Sequence, residues 1–547
     1  MRRLALALLA LALLAVAGWQ LLPSLLIRLP GLFAPRVAPP HEVSWEPGPA
    51  TASAGPNERP PNIVVILADD LGWNDLDFAG GGVGHGAVKT PHIDSIARDG
   101  VNFTNGYAAN ATCAPSRAAI LTGRYPTRSG YEFTPTGVAF MRGYAFFNRN
   151  QKPPPIYHKE VEASYPPREE QGLPPGEITI AELLKPRGYH TLHFGKWHLG
   201  EAERFRPEAQ GFDESLGFYA GGSKYLPEDD PTVVNSKQDF DPIDRFLWPN
   251  LPFMVRKNGS EPFQPSAYMT EYLADEAVRA IEANRNRPFF LYLAFNAPHT
   301  PLQALRSDYD ALPGIANHTE RVYGAMVLAL DRAVGRVLDA LRAQGLEENT
   351  LVFFTSDNGG ANYVGLPDLN RPFRGWKMTF FEGGVHMPFF LRWPRELPKG
   401  VEYAAPVAHF DIFATAAAAA GAELPSDRVI DGVDLVPFAS GRAAGRPHQA
   451  LFWRSGHYRG VRAGDWKLQL SEPKQAWLFD LASDPTERTN RADTEPARVA
   501  ELTALLDAHD ATQSKPLWPS LLEGAIRIDP PLNAPESPDD EYVYWAN

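Results

Sequence analysis

The stretch Ile63-Val64-Val65-Ile66-Leu67-Ala68 is a continuous apolar run that ends abruptly in the pair Asp69-Asp70. Such a run is typical of a parallel strand that is buried on both faces of its sheet. Three further apolar runs lead into polar residues in the same way, and they span Tyr189 to Phe194, Phe289 to Phe295 and Leu351 to Thr355. The sequence therefore predicts four buried strands, each of which places polar side chains at its carboxyl end.

Helical patterns lie between these strands. Thr179 and Glu182 have the spacing of a capping box at the start of a helix, which Gly188 would end. Apolar residues recur at helical spacing within residues 270–284 and again from Val322 to Leu341. Alternating strands and helices predict an α/β fold with a large mixed, mainly parallel sheet flanked by helices. An open sheet of this kind binds its ligand at the carboxyl ends of its strands.

The sequence changes character after residue 424. Short alternating segments such as Trp466 to Leu470 and Trp477 to Leu481 precede a helical pattern near residues 496–509. These features predict a smaller C-terminal subdomain, made of an antiparallel sheet and one helix. We therefore divide the chain into five segments: 1–27 (signal peptide or signal anchor), 28–60 (a tether rich in Pro, Ala and Gly), 61–424 (catalytic domain), 425–515 (C-terminal subdomain) and 516–547 (tail).

The N-terminal segment predicts export. Arg2 and Arg3 precede an apolar run from Leu4 to Gly18, in which Ala15-Val16-Ala17 has the small residues of a cleavage site. Apolar character continues as far as Ile27, which is long enough to span a bilayer. A cleaved signal peptide and a retained membrane anchor both stay open. Either one predicts a periplasmic or extracellular protein.

Length and composition limit the classes of function. The chain has 547 residues, of which 44% are hydrophobic and 11% aromatic, as expected for a folded enzyme with more than one domain. Its formal net charge of −13 argues against a nucleic-acid partner, because such a partner requires a basic face.

Cys113 is the only cysteine of the chain, so it cannot form an intramolecular disulfide. Pro115 suits the first turn of a helix, and Gly123 would end that helix. Cys113 would then lie at a helix N-terminus, where free N–H groups attract anions. The alternative interpretation is a buried, inert cysteine beside a structural helix.

Two of the predicted strand ends carry hard oxygen ligands. Asp69 and Asp70 follow one strand, and Asp357 and Asn358 follow another. Such a set suits Ca²⁺ or Mg²⁺ better than Zn²⁺, which prefers imidazole and thiolate. Either pair alone would more often be a solvated turn, and their joint occurrence with Cys113 favours a metal site.

The motifs together carry a family resemblance. Cys113-Ala114-Pro115-Ser116-Arg117, followed by Leu121-Thr122-Gly123-Arg124, resembles the motif of type I formylglycine-dependent sulfatases, in the alkaline phosphatase superfamily. The string from Gly195 to Gly200 and the histidine in Ala297-Pro298-His299 match the same family in the same order. Residues 69–75 are most similar to the arylsulfatase and N-acetylgalactosamine-4-sulfatase branch.

This resemblance implies a complete set of site residues. A formylglycine-generating enzyme would oxidise Cys113 to formylglycine, whose hydrate attacks sulfur with one hydroxyl and expels sulfate with the other. One calcium ion, or magnesium in its place, would be bound by Asp69, Asp70, Asp357, Asn358 and the modified Cys113. Arg117 and Lys196 would hold the nucleophile, and His198 would be the base. Lys377 or His299 would protonate the leaving oxygen.

Lys377 lies in a setting that departs from the family pattern. The family places its lysine in Gly-x-Lys-Gly, whereas Met378 follows the lysine here. The lysine amine is still present, but the sequence leaves open whether Met378 changes the geometry of the loop around it.

The function predicted from the sequence is hydrolysis of an O-sulfate ester of a carbohydrate or an aryl alcohol. One alternative is a phosphonate monoester or phosphodiester hydrolase of the same superfamily. Another is an unmodified, non-catalytic protein that binds sulfated glycans.

Overall fold

A computed structural model describes residues 31, 36–471 and 475–547. Its strands, in chain order, are β1 (Asn62–Asp69), β2 (Val101–Phe103), β3 (Gly106–Tyr107), β4 (Ile156–Tyr157), β5 (His190–Lys196), β6 (Glu214–Phe218), β7 (Val233–Ser236), β8 (Arg256–Lys257), β9 (Phe289–Pro298), β10 (Leu302–Leu305), β11 (Thr350–Ser356), β12 (His386–Met387), β13 (Phe389–Arg392), β14 (Val401–Tyr403), β15 (Val407–Ala408), β16 (Ala450–Ser455), β17 (Tyr458–Ala463), β18 (Trp466–Ser471), β19 (Gln475–Asp480), β20 (Leu522–Arg527) and β21 (Tyr542–Ala546). Its α-helices are Val83–Gly86, Pro91–Arg98, Cys113–Thr122, Pro126–Ser129, Val138–Phe147, Ile180–Leu184, Pro242–Asn250, Met269–Ala283, Arg306–Asp310, His318–Ala343, Glu382–Val385, Asp411–Ala419, Val436–Ala439 and Pro496–Asp510.

A nine-stranded mixed sheet forms the centre, in the order β14-β2-β13-β11-β1-β9-β5-β6-β8. The four predicted strands are its middle members, β11, β1, β9 and β5, and they pair in parallel. Every residue of β1 is buried, as its unbroken apolar run requires. The predicted α/β class with a large, mainly parallel sheet is confirmed.

Helices cover both faces of this sheet, because successive side chains of a strand point to opposite faces. Val64 and Ile66 of β1 belong to a core that includes the helices Met269–Ala283 and His318–Ala343. Ile63 and Val65 belong to a second core, which includes the helix Cys113–Thr122. The predicted capping box is also present, since Thr179 Oγ1 accepts from the Glu182 N–H.

The C-terminal subdomain contains the predicted antiparallel sheet, in the order β16-β17-β18-β19. The helix Pro496–Asp510 packs on this sheet through Leu502 and Leu506, which contact Val461 and Leu468. The smaller sheet with one helix is therefore confirmed.

The two flanking segments pack more closely than their composition indicates. Within segment 28–60, Trp45 is buried against Phe194 and its indole N–H donates to Glu276 at 2.8 Å. The tail 516–547 contains β20 and β21, which form a sheet with β4. Among the described residues, no helix has the length and apolar character to cross a membrane, and the predicted signal or anchor at 1–27 lies outside them.

Candidate active site

The helix Cys113–Thr122 brings two predicted site residues to one place. It starts after Thr112, which is extended, and ends at Gly123 in the left-handed conformation with a φ of 70°. Cys113 and Arg117 are one turn apart, so they share a helix face. The predicted helix start at Cys113 is present, and both side chains are buried.

The Cys113 thiol is surrounded by charged groups. Its Sγ lies 3.2 Å from Lys377 Nζ, 3.5 Å from Asp69 Oδ1 and 3.8 Å from Asp70 Oδ1. Burial, together with the charge of Asp357, raises the pKa of this thiol well above its ordinary value. The unmodified side chain is therefore a protonated thiol at neutral pH, and a thiol is a poor nucleophile.

Parallel pairing of β1 with β11 brings the two acidic strand ends together. Ala68 lies opposite Ser356 in this register, so Asp69 and Asp70 come next to Asp357. The backbone N–H of Asp70 donates to Asp357 Oδ1 at 3.2 Å. The predicted oxygen cluster at the carboxyl edge of the sheet is thus present in the structure.

Three cations are paired with the three carboxylates. Lys196 Nζ lies 2.7 Å from Asp69, and Lys377 Nζ lies 2.7 Å from Asp70. Arg117 contacts Asp357 at 2.8 Å through Nη2 and also donates from Nη1 to the backbone carbonyl of Lys196 at 2.9 Å.

Burial raises the pKa values of these carboxyl groups, whereas their cationic partners lower them. Burial raises the pKa of Asp69 above its ordinary value. Burial acts in the same direction on Asp70, but Lys377 outweighs it and holds the pKa of Asp70 well below its ordinary value. Arg117 likewise lowers the pKa of Asp357 against the effect of burial. Asp70 and Asp357 are therefore ionised at neutral pH.

The two predicted histidines are both neutral. His299 Nε2 lies 3.6 Å from Asp70, and burial lowers the pKa of His299 to about 3. Burial, with Lys196 next in effect, holds the pKa of His198 well below its ordinary value. The backbone of His198 has a φ of 61°, and its ring lies against Gly221. A neutral imidazole can accept a proton or bind a metal ion.

The donor set fits a hard divalent cation. Ligand atoms of Asp69, Asp70, Cys113 and His299 all lie within 4.8 Å of one another. Asn358 donates through Nδ2 to Asp70 at 2.7 Å, whereas its buried Oδ1 has no hydrogen-bond partner in the described part of the chain. An unpaired buried amide oxygen beside ionised carboxylates is a suitable ligand for calcium or magnesium.

Sequence reasoning missed one residue of this site. The Tyr363 hydroxyl donates to Asp70 Oδ2 at 2.8 Å and lies 3.2 Å from Lys377 Nζ. No spacing rule signals a tyrosine five residues after Asn358, because the connecting loop alone brings it back to the cluster.

The structure also shows the consequence of Met378. This residue has a φ of 67°, a left-handed conformation that glycine adopts readily and a side chain disfavours. The loop therefore keeps a glycine-like backbone at this position. Lys377 still reaches Asp70 and Cys113.

Residues 61–422 match the family model described as Sulfatase. The chain belongs to the sulfatase family. Relatives of this sulfatase include the steryl-sulfatase of Mus musculus, which is 34% identical over 84% of this chain and 82% of its own. The N-acetylgalactosamine-6-sulfatase of Mus musculus is 35% identical over 77% of this chain and 74% of its own.

Solved structures agree with this assignment. The crystal structure of Ps i-CgsB is 31% identical, covers 84% of this sulfatase and 95% of its own chain, and has a TM-score of 0.70. The phosphonate monoester hydrolase of Silicibacter pomeroyi covers 83% of this chain and 96% of its own with a TM-score of 0.58. Its 20% identity shows a common fold alone.

Proposed function

We propose that this sulfatase hydrolyses an O-sulfate ester of a carbohydrate or aryl alcohol, with residue 113 in its formylglycine form as the nucleophile. The surroundings of Cys113 carry this proposal. A thiol with a raised pKa at a helix N-terminus, among three carboxylates and three cations, is unsuited to act as a thiolate. Oxidation to formylglycine by a generating enzyme would give this position the reactivity that the thiol lacks.

Calcium, or magnesium in its place, would be held by Asp69, Asp70, Asp357, Asn358 and the oxidised residue 113. When bound, the ion would neutralise the sulfate oxygens and the formylglycine hydrate would supply the attacking oxygen. His299 is a further candidate ligand, since its neutral ring lies among the same groups.

The remaining side chains divide the proton-transfer and positioning roles. Burial acts to lower the pKa of Lys377, but Asp70 keeps it well above the ordinary value, so Lys377 is protonated at neutral pH and carries a proton for the leaving oxygen. His198 is the base, since its ring is neutral. Arg117 binds both the Asp357 carboxylate and the backbone carbonyl of Lys196, so it positions these two residues relative to each other.

Export and membrane attachment complete the proposal. The apolar segment before residue 28 would direct the chain to the periplasm or the cell exterior, and a retained segment would anchor it to the membrane. The substrate would then be a sulfated small molecule or glycan outside the cytoplasm.

Comparing turnover of 4-nitrophenyl sulfate with turnover of bis(4-nitrophenyl) phosphate tests the reaction. We expect the sulfate ester to be preferred many-fold by protein in which mass spectrometry finds an aldehyde at residue 113. A many-fold preference for the phosphodiester would favour the phosphodiesterase alternative. Retention of the thiol in all protein from the native host would support the non-catalytic glycan-binding alternative.

A further inference from the structure

A second cavity lies between the catalytic domain and the C-terminal sheet. Its volume is about 690 Å³, which is in the range of small-molecule binding sites. Thr104 and Asn105 line it from the end of β2, and Arg462 and Asp465 line it from the C-terminal sheet. Arg446 and His386 are also part of its wall.

This cavity is separate from the candidate active site. None of the ten predicted site residues lines it. β2 is three strands away from β1 in the central sheet, which corresponds to roughly 14 Å at the usual strand spacing. A ligand in the cavity would therefore not contact the cluster around Cys113.

Two arginine side chains line this cavity, and neither has a carboxylate partner within ion-pair distance. Arg462 Nε donates to the carbonyl of Gly464 at 3.4 Å, and Arg446 Nη1 lies 4.0 Å from the position that a Cβ on Gly464 would occupy. Within the described residues, no carboxylate oxygen lies within 4.0 Å of either guanidinium group. Arg462 differs in this respect from buried arginines such as Arg117 and Arg374, each of which has a carboxylate partner.

Neighbouring polar groups use only some of the arginine N–H donors. Arg462 Nη1 is occupied by Asn105 Oδ1 at 3.1 Å and by the Tyr107 hydroxyl, whereas its Nη2 forms no hydrogen bond with the described residues. The Glu382 carboxylate is neutralised by Lys467 at 2.6 Å. Asp465 is then the one exposed carboxylate among the lining residues.

Two guanidinium groups in the wall of one cavity attract an anion, and Asp465 in the same wall opposes that attraction. Guanidinium groups match the oxygens of tetrahedral oxyanions with paired N–H donors. We propose that this cavity is a second binding site that takes a sulfate group, either as the free ion or as an ester on a saccharide. The choice of sulfate among oxyanions rests on the proposed function, whereas the anion site itself rests on Arg446 and Arg462.

Equilibrium dialysis with radiolabelled sodium sulfate tests this site. Arg446→Ala is the main variant, because Arg446 is exposed and forms no hydrogen bond with the described residues, so the fold should not depend on it. We expect Arg446→Ala to weaken one class of sulfate binding at least about tenfold, as for a lost hydrogen bond to a charged group. Asp465→Asn should tighten the same class roughly two- to fivefold, because it removes a repelling charge.

Arg442→Ala is the matched control, since Arg442 is an exposed arginine that does not line the cavity and lies 3.8 Å from Glu396. An equal loss of sulfate binding in Arg442→Ala and Arg446→Ala would overturn the proposal, as would unchanged binding in Arg446→Ala. Binding of galactose 6-sulfate and of galactose shows whether the bound sulfate is a free ion or an ester on a sugar. If the cavity binds galactose 6-sulfate but not free sulfate, its ligand is a sulfate ester, and the reverse result identifies the free ion. Equal binding of galactose and galactose 6-sulfate contradicts an oxyanion site.

The same variants separate this site from the proposed reaction. Arg446→Ala should turn over 4-nitrophenyl sulfate at the rate of the unaltered enzyme when the substrate is saturating. If no variant hydrolyses the sulfate ester while Arg446→Ala still loses one class of sulfate binding, the proposed function fails and the second site stands.

Discussion

At the scale of single residues, the proposed chemistry depends on Cys113. It is the only cysteine and is buried without a disulfide, so the fold does not depend on a bond to it. We expect Cys113→Ala and Cys113→Ser to abolish multiple turnover of an aryl sulfate and to leave the melting temperature nearly unchanged. Sustained turnover in Cys113→Ala would contradict the proposed nucleophile.

We expect Tyr363 to position groups of the same site. Tyr363→Phe removes the hydroxyl that donates to Asp70 and lies 3.2 Å from Lys377 Nζ. Loss of one hydrogen bond to a charged group predicts a fall in kcat of about tenfold, with a higher calcium concentration for half-maximal activity. Tyr309→Phe is the control, because the hydroxyl of Tyr309 forms a hydrogen bond with His318 and with no other described residue. A purely structural role would leave the calcium requirement of Tyr363→Phe unchanged.

At the scale of elements, Gly123 fixes the end of the helix that carries Cys113 and Arg117. Its φ is 70°, and a Cβ there would lie 2.6 Å from the Phe413 ring. Gly345 has a similar φ of 67° with nothing within 4 Å of its Cβ position. We expect Gly345→Ala to cost about 1–2 kcal/mol of unfolding free energy from its backbone conformation alone.

Gly123→Ala should cost about 1–3 kcal/mol more than Gly345→Ala, because overpacking against Phe413 adds to the backbone strain. Denaturant unfolding of the two variants measures this difference. Equal losses would show that the aromatic ring moves aside and that only the backbone conformation matters.

Elements were predictable wherever periodicity and burial agree. The central strands and the helix Cys113–Thr122 were predicted because apolar runs and the Pro115 and Gly123 signals are local. The pairing of β20 with β4 was not predictable, since it joins segments more than 300 residues apart. Tyr363 was missed for the same reason, as its contacts with Asp70 and Lys377 are long-range.

At the scale of the whole molecule, a buried ion cluster joins the catalytic domain to the C-terminal sheet. Lys467 of β18 is fully buried and lies 2.6 Å from Glu382 and 3.1 Å from Glu487. Burial raises the pKa of Glu487 to about 7, whereas Lys467, acting against burial, holds the pKa of Glu382 well below its ordinary value. One lysine thus faces two buried carboxyl groups at this contact, and its single charge compensates the ionised Glu382.

Lys467→Met should therefore cost about 3–5 kcal/mol of unfolding free energy at pH 8, because two buried carboxylates lose their cation. The deficit should shrink as the pH falls towards 6. The pKa of Glu487 is higher in the folded than in the unfolded state, so folded Glu487 is protonated first as the pH falls. Its protonation removes the repulsion between Glu487 and Glu382. Arg488→Met is the control, since its exposed ion pair with Asp529 is worth less than about 1 kcal/mol. A pH-independent deficit in Lys467→Met would indicate lost packing instead of uncompensated charge.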